Sequence, residues 1–219
     1  MMILAPSMLS ADFKKLEKEI RTIEENGARY LHYDVMDGMF VPSLSFGPHI
    51  LESIKPATNL VCDVHLMITE PIRYIEAFQK AGADLITVHL EACEDIDATI
   101  LKIRECGCKA GLAISPDTPV SKVMPYVGKV DMVLVMTVYP GFGGQKFIPE
   151  SLNRVRELKE MLDAKGCLID IEVDGGIYAS NVEEVIKAGA NVIVSGSGVF
   201  NGDVIQNTKN MMEILKKYE

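Results

Sequence analysis

Short apolar runs rich in β-branched residues alternate along the chain with longer stretches whose apolar positions recur every three or four residues. The runs begin near Ile3 (ILAPS), Arg29 (RYLHYDV), Leu60 (LVCDVHLM), Asp84 (DLITVHL), Lys109 (KAGLAI), Asp131 (DMVLVMTV), Leu168 (LIDIEV) and Asn191 (NVIVS). Bounded by Gly and polar residues, they predict eight strands buried on both faces. Between them, Phe13, Leu16, Ile20 and Ile23 make one helical face from Asp12, a candidate N-cap, to Gly27, a candidate stop. Pro71 stands where a first helical turn begins, ahead of Ile72, Ile75 and Phe78, and that pattern ends at Gly82. The phrases ENGA, KAGAD and KAGAN at 25–28, 80–84 and 187–191 each close a helix and open the next strand. Such punctuation marks repeated βα units.

Eight βα units in 219 residues predict a (β/α)8 barrel, one domain over 1–219. A doubly wound open sheet has fewer strands, and no G-x-G-x-x-G follows the first run. No linker, low-complexity tract or charge shift divides the chain. In a barrel the chemistry belongs at the C-terminal ends of the strands and in the loops after them.

Composition narrows the partners. With 22 Lys+Arg against 31 Asp+Glu the net charge is −9, and the pI near 5.0 comes without any basic cluster. Nucleic acid and anionic membrane are therefore not expected partners, although backbone amides still allow a small anionic ligand. No apolar run approaches the ~20 residues of a membrane span, and the start lacks the basic region of a signal peptide. Five cysteines without a C-x-x-C pair fit reduced thiols and a cytoplasmic location. Most of the twelve Met are expected as core filler.

Polar residues crowd the ends of the runs. His32, Asp34 and Met36 share one face of the second strand by the two-residue period, as do His65 and Met67 in the third. The seventh run ends in Asp174-Gly175-Gly176. An isolated H-x-D pair reads as a buried histidine bonded to a carboxylate. Three strand ends contributing two imidazoles and two carboxylates instead make a four-residue set for a divalent metal. Zn²⁺ ranks first, with Mn²⁺, Fe²⁺ or Co²⁺ as substitutes. His89-Leu90-Glu91, ending the fourth run, reads as a satisfied polar layer rather than a ligand pair, and His49 as a solvated loop residue.

Glycine crowds the last three ends: Pro140 to Gln145 (PGFGGQ), Gly175-Gly176 and Ser195 to Gly198 (SGSG). Glycine lets backbone N–H groups approach an anion, and barrels bind phosphate with the loops after their last strands. Turn formation accounts for any one of these loops; together they predict a phosphate seat.

These residues resemble the ribulose-phosphate 3-epimerase family almost end to end. The matching segments are APSMLSADF (5–13), HYDVMDGMFVP (32–42), DVHLM (63–67), GCKAGL (107–112), MTVYPGFGGQKF (136–147) and EVDGGI (172–177). The resemblance implies a metal-dependent isomerase with one divalent ion on His32, Asp34, His65 and Asp174. Asp34 and Asp174 are then the paired acid and base. It implies substrate contacts from Ser7, His65, Gly141, Phe142, Gly143, Gly144, Asp174, Gly175, Gly176, Gly196 and Ser197. The implied reaction interconverts D-ribulose 5-phosphate and D-xylulose 5-phosphate through a cis-enediolate. Met36, Met67 and Met136, on inward alternation, are expected to wall that intermediate from water. Tyr139 stands where the family usually has Asn, and Gly198 where it usually has Ala; both bear on the choice of sugar, for which D-allulose 6-phosphate is the alternative. A sugar-phosphate lyase of similar fold would show a lysine near a strand end, and only Lys146 comes near. The expected partners are a small phosphorylated ketose and further copies of the chain in a homo-oligomer.

Overall fold

The computed structural model describes residues 1–219. All eight apolar runs are strands: β1 (Ile3–Pro6), β2 (Tyr30–Met36), β3 (Val61–Met67), β4 (Leu85–His89), β5 (Lys109–Ile114), β6 (Met132–Met136), β7 (Asp170–Asp174) and β8 (Val192–Ser195). They pair in parallel in the order β1-β8-β7-β6-β5-β4-β3-β2. The ring closes where Ser7 bridges His32 and the Arg29 N–H donates to the Leu4 carbonyl at 3.2 Å. The helices are α1 (Leu16–Glu25), α2 (Pro48–Ile54), α3 (Ile75–Lys80), α4 (Ile96–Glu105), α5 (Ser151–Lys165), α6 (Val182–Ala188), α7 (Ser197–Phe200) and α8 (Val204–Leu215). None is long and apolar enough to cross a membrane.

Alternation along each strand sorts the interior into layers. Outward positions such as Leu31, Tyr33, Val64, Leu66, Ile86, Val133 and Val173 pack with the helices in a cluster of 51 buried residues. Inward positions near the strand starts (Ile3, Tyr30, Leu85, Met132 and Val192) plug the barrel floor. Above that plug the inward face turns polar, with His32, Asp63, Thr87 and Glu172 fully buried. Hydrophobic burial of the outer layer is what holds this costly polar layer in place. Leu66→Ala, at a fully buried outward position, is expected to destabilise by about 2–5 kcal/mol, read from denaturant midpoints.

Four details depart from the sequence pattern. Asp12 caps a 3₁₀ turn over Phe13–Lys15, its carboxylate accepting from the Lys14 N–H at 3.0 Å, and α1 starts only at Leu16. Phe13 thus leaves the helical face and lies half exposed against Phe46, with ring centres 5.6 Å apart. Pro71 likewise opens a 3₁₀ turn that takes Ile72, so α3 is short. The β5–β6 connection carries a 3₁₀ turn (Val120–Val123) and no α-helix. Val120, Val123, Met124 and Val127 keep helical spacing, but Pro125 and Gly128 interrupt it, and Arg154 of α5 secures the segment by donating to the Ser115 and Thr118 carbonyls, both at 2.8 Å. His49 is solvent-exposed, but on the first turn of α2 rather than in a loop. The phrases that end helices behave as read: Gly27, Gly82 and Gly189 all have positive φ.

Candidate active site

At the C-terminal mouth, register places Asp34 of β2 opposite His65 of β3, and β7 brings Asp174 to the same level beside Met136. His32 Nε2 lies 3.2 Å from Asp34 Oδ1 and 3.9 Å from Asp174 Oδ2. His65 Nδ1 lies 3.1 Å and 3.9 Å from the same two oxygens. One donor atom from each of the four residues falls within 4.8 Å of all the others. His32 and His65 have no exposure, and Asp34 is buried. The Ser7 hydroxyl donates to Asp34 Oδ2 at 2.5 Å.

The two carboxyls are driven apart. Burial raises Asp174, and the charge of Asp34 adds to it, taking its pKa to about 7. Burial also disfavours the charged form of Asp34, but the positive charge of His32, itself favoured by Asp34 and Asp63, more than offsets this and holds it well below the carboxylate range. Separation of this kind sets an acid beside a base.

The sequence reading missed a second tier beneath the mouth. His32 Nδ1 sits 2.7 Å from Asp63 Oδ2 and 3.5 Å from Glu172 Oε1. Burial and the neighbouring Asp63 raise Glu172 well above the usual range, so it is the protonated member of this carboxyl pair. The signal was present: Asp63 and Glu172 precede His65 and Asp174 by two residues and share their inward face. With Asp63 on Nδ1, His32 turns Nε2 toward Asp34 and Asp174; that buried nitrogen has no well-aligned hydrogen-bond partner in the protein, and against the cost of burial Asp34 and Asp63 favour positive charge there. An orphaned imidazole nitrogen facing two carboxylates is a site that fits a divalent cation.

Above the cluster, one pocket is lined by Ser7, Asp34 and Asp174, by Met36, Met67 and Met136, and by Gly141, Phe142, Gly143, Gly144, Gly175, Gly176, Gly196 and Ser197. His32 and His65 lie beneath its surface. Leu9, Ser10 and Tyr178, absent from the sequence reading, also line it, and no lysine does. The backbone N–H groups of Gly143, Gly144, Gly176, Gly196 and Ser197 have no backbone acceptor. The loops carrying them are close: a Cβ on Gly144 would lie 3.8 Å from Ser197 Oγ, and a Cβ on Gly196 would lie 2.5 Å from Ser10 Oγ. Gly176 is a required glycine, with φ +68° and a Cβ position only 2.4 Å from the Phe147 nitrogen.

The two departures from the family pattern have local accounts. A Cβ at position 198 would come within 2.5 Å of Ser195 Oγ and 2.6 Å of the Ile177 carbonyl, which are themselves hydrogen-bonded at 2.8 Å. Tyr139, half exposed at the rim, donates its hydroxyl to Asp117 Oδ1 at 2.9 Å. Nor does His89-Leu90-Glu91 enter the four-residue cluster. His89 instead contacts His65 from behind, Nε2 to Nε2 at 2.9 Å.

A sequence model of the ribulose-phosphate 3 epimerase family matches residues 3–200. The chain belongs to that family. Membership of the ribulose-phosphate 3 epimerase family makes it an isomerase. A ribulose-phosphate 3-epimerase of Bacillus subtilis is 52% identical over 201 residues, covering 91% of this chain and 93% of that protein. The enzyme of that name from Synechocystis sp. is 50% identical over 201 residues, covering 91% and 87%. Among solved structures, KGPDC from Streptococcus mutans superposes with a TM-score of 0.75 at 12% identity, covering 100% of this chain and 99% of that one. That likeness establishes the shared barrel fold.

Proposed function

We propose that the chain, acting as one catalytic barrel over 1–219, interconverts D-ribulose 5-phosphate and D-xylulose 5-phosphate by removing the C3 proton and returning it to the opposite face. The observation that carries this reading is the pair Asp34 and Asp174. These are two carboxyls on the non-adjacent strands β2 and β7, with pKa values pushed in opposite directions, at the floor of a pocket whose rim holds unpartnered N–H groups.

Asp34, ionised at neutral pH, is the base toward one face of C3. Asp174, protonated up to about pH 7, is the acid toward the other, and the roles exchange in the reverse direction. Ser7 fixes the Asp34 carboxylate by its hydrogen bond, leaving Oδ1 on the histidine side. Met36, Met67 and Met136 exclude water from an intermediate that water would quench. His32, Asp34, His65 and Asp174 would hold one divalent cation, Zn²⁺ by the donor set. When bound, such an ion supplies Lewis-acid stabilisation of the charge that develops on the substrate oxygens. The N–H groups of Gly143, Gly144, Gly176, Gly196 and Ser197 take the phosphate without a lysine or arginine.

The deciding experiment is a coupled assay comparing kcat/KM for D-ribulose 5-phosphate, D-allulose 6-phosphate and unphosphorylated ribulose. Preference for the first supports the reading; preference for the second replaces the substrate, and equal rates on the third remove the phosphate seat. In the same assay Gly176→Ala should raise KM about tenfold or more, since a displaced charge-assisted hydrogen bond is worth ~1.5–3 kcal/mol. Metal content should be unchanged.

A further inference from the structure

His89 and Glu91 lie outside the four-residue cluster, yet they form a chain that ends on it. His65 and His89 meet nitrogen to nitrogen, Nε2 to Nε2 at 2.9 Å, with ring centres 5.0 Å apart and planes inclined by 26°. His89 Nδ1 then lies 3.2 Å from Glu91 Oε2. The other Glu91 oxygen accepts from the Ser115 N–H at 2.8 Å and from the Thr118 hydroxyl. Both rings are without exposure.

Two neutral imidazoles in contact hydrogen-bond only if one donates and the other accepts. The direction is decided at the Glu91 end. Burial opposes ionisation of Glu91, but its contacts with His89, Thr118 and Ser115 hold its pKa down at about 2, so it is a carboxylate that can only accept, and His89 carries its hydrogen on Nδ1 and offers a lone pair at Nε2. His65 must then carry its hydrogen on Nε2. Its lone pair is left at Nδ1, facing Asp34 Oδ1 and Asp174 Oδ2 at 3.1 and 3.9 Å. A lone pair 3.1 Å from the ionised Asp34 oxygen is unfavourable until a cation lies between them.

We infer that Glu91, acting through His89, is a positioning residue that fixes His65 as its Nε2–H tautomer and so holds Nδ1 open toward Asp34 and Asp174. The inference rests on the metal reading of that cluster. It makes the two imidazoles equivalent in logic: Asp63 sets His32 directly, and Glu91 sets His65 through one intervening ring. Outer-shell partners of this kind orient the ligand and raise its basicity.

The test combines two readouts that do not depend on turnover. In metal-free protein, ¹⁵N NMR of the imidazoles should show His65 as the Nε2–H tautomer. In Glu91→Gln, whose side chain both donates and accepts, that preference should be lost. Zn²⁺ titrated against a chelator should bind Glu91→Gln about 10–100-fold more weakly than wild type, with unchanged circular dichroism. Glu94→Gln, on a nearby exposed residue, should bind as wild type. A wild-type His65 found as the Nδ1–H tautomer overturns the inference even if every variant fails to fold. Zn²⁺ binding lost in His65→Ala but kept in full by Glu91→Gln overturns the positioning role alone. Zn²⁺ binding undiminished in His65→Ala overturns the metal reading beneath it.

Discussion

Asp174→Asn lowers epimerisation by about 10²–10⁴-fold, the usual cost of losing a positioned acid or base, and Asp34→Asn does the same. Inversion at C3 needs a proton removed on one side and delivered on the other, so neither carboxyl can stand in for its partner. Asn keeps an oxygen at each position, which separates the proton role from a role as metal ligand. The surviving carboxyl still reaches the hydrogen on its own face. Each variant should therefore wash solvent deuterium into C3 of one epimer only, and the two variants should prefer opposite epimers. Near-native turnover in either variant would remove that residue from the mechanism. Exchange into the same epimer in both would require a single base serving both faces.

Chelation should stop turnover and lower the melting temperature, with both restored by Zn²⁺. An ion held at about 1,000 times its Kd contributes ~4.1 kcal/mol, which for a chain of this size corresponds to roughly 8–16 °C. His65→Ala should melt at one temperature with or without added ion. Acid should weaken the grip as well. A proton on Asp174 makes it a poorer ligand, and in the metal-free protein its pKa is about 7. Affinity should accordingly fall by up to about tenfold for each pH unit below 7 as protons compete for the site. Binding followed by calorimetry from pH 8 to 5 checks the slope; a flat profile would detach Asp174 from the ligand set.

Much of this architecture is legible in the primary sequence because a barrel strand is buried on both faces and its inward residues follow a period of two. That rule alone brings His32, Asp34, Met36, His65, Met67 and Asp174 to one mouth. Carried one step further down each strand, it also reaches Asp63 and Glu172, which look like ordinary strand-start polar residues until burial is known. The contact of His65 with His89 could not be read in this way. It is a diagonal between neighbouring strands whose register pairs His65 with Thr87, so the N···N approach depends on barrel twist and ring rotamers. Helix content was least visible where short turns compete with helices. Asp12 and Pro71 are good initiators of either, and the 3₁₀ turns they begin take up Phe13 and Ile72. Ser10 reaches the pocket only because the chain after β1 folds back over the β8 loop, a placement with no local signature.

An anion seat made of main-chain N–H groups has an inverted mutational signature. Side-chain truncation is nearly blind to it, because it removes none of the donors, whereas even a single Cβ added at Gly176 or Gly196 strikes it directly. The handle is thereby insulated from drift at the rim. On the proposed reading, Tyr139 and Asp117 can be exchanged, and with them the sugar the mouth would accept, without any of the donors that would grip its far end being touched. For a designer, this means that selectivity libraries belong at the rim, and that glycines in the last three loops are the positions to leave alone.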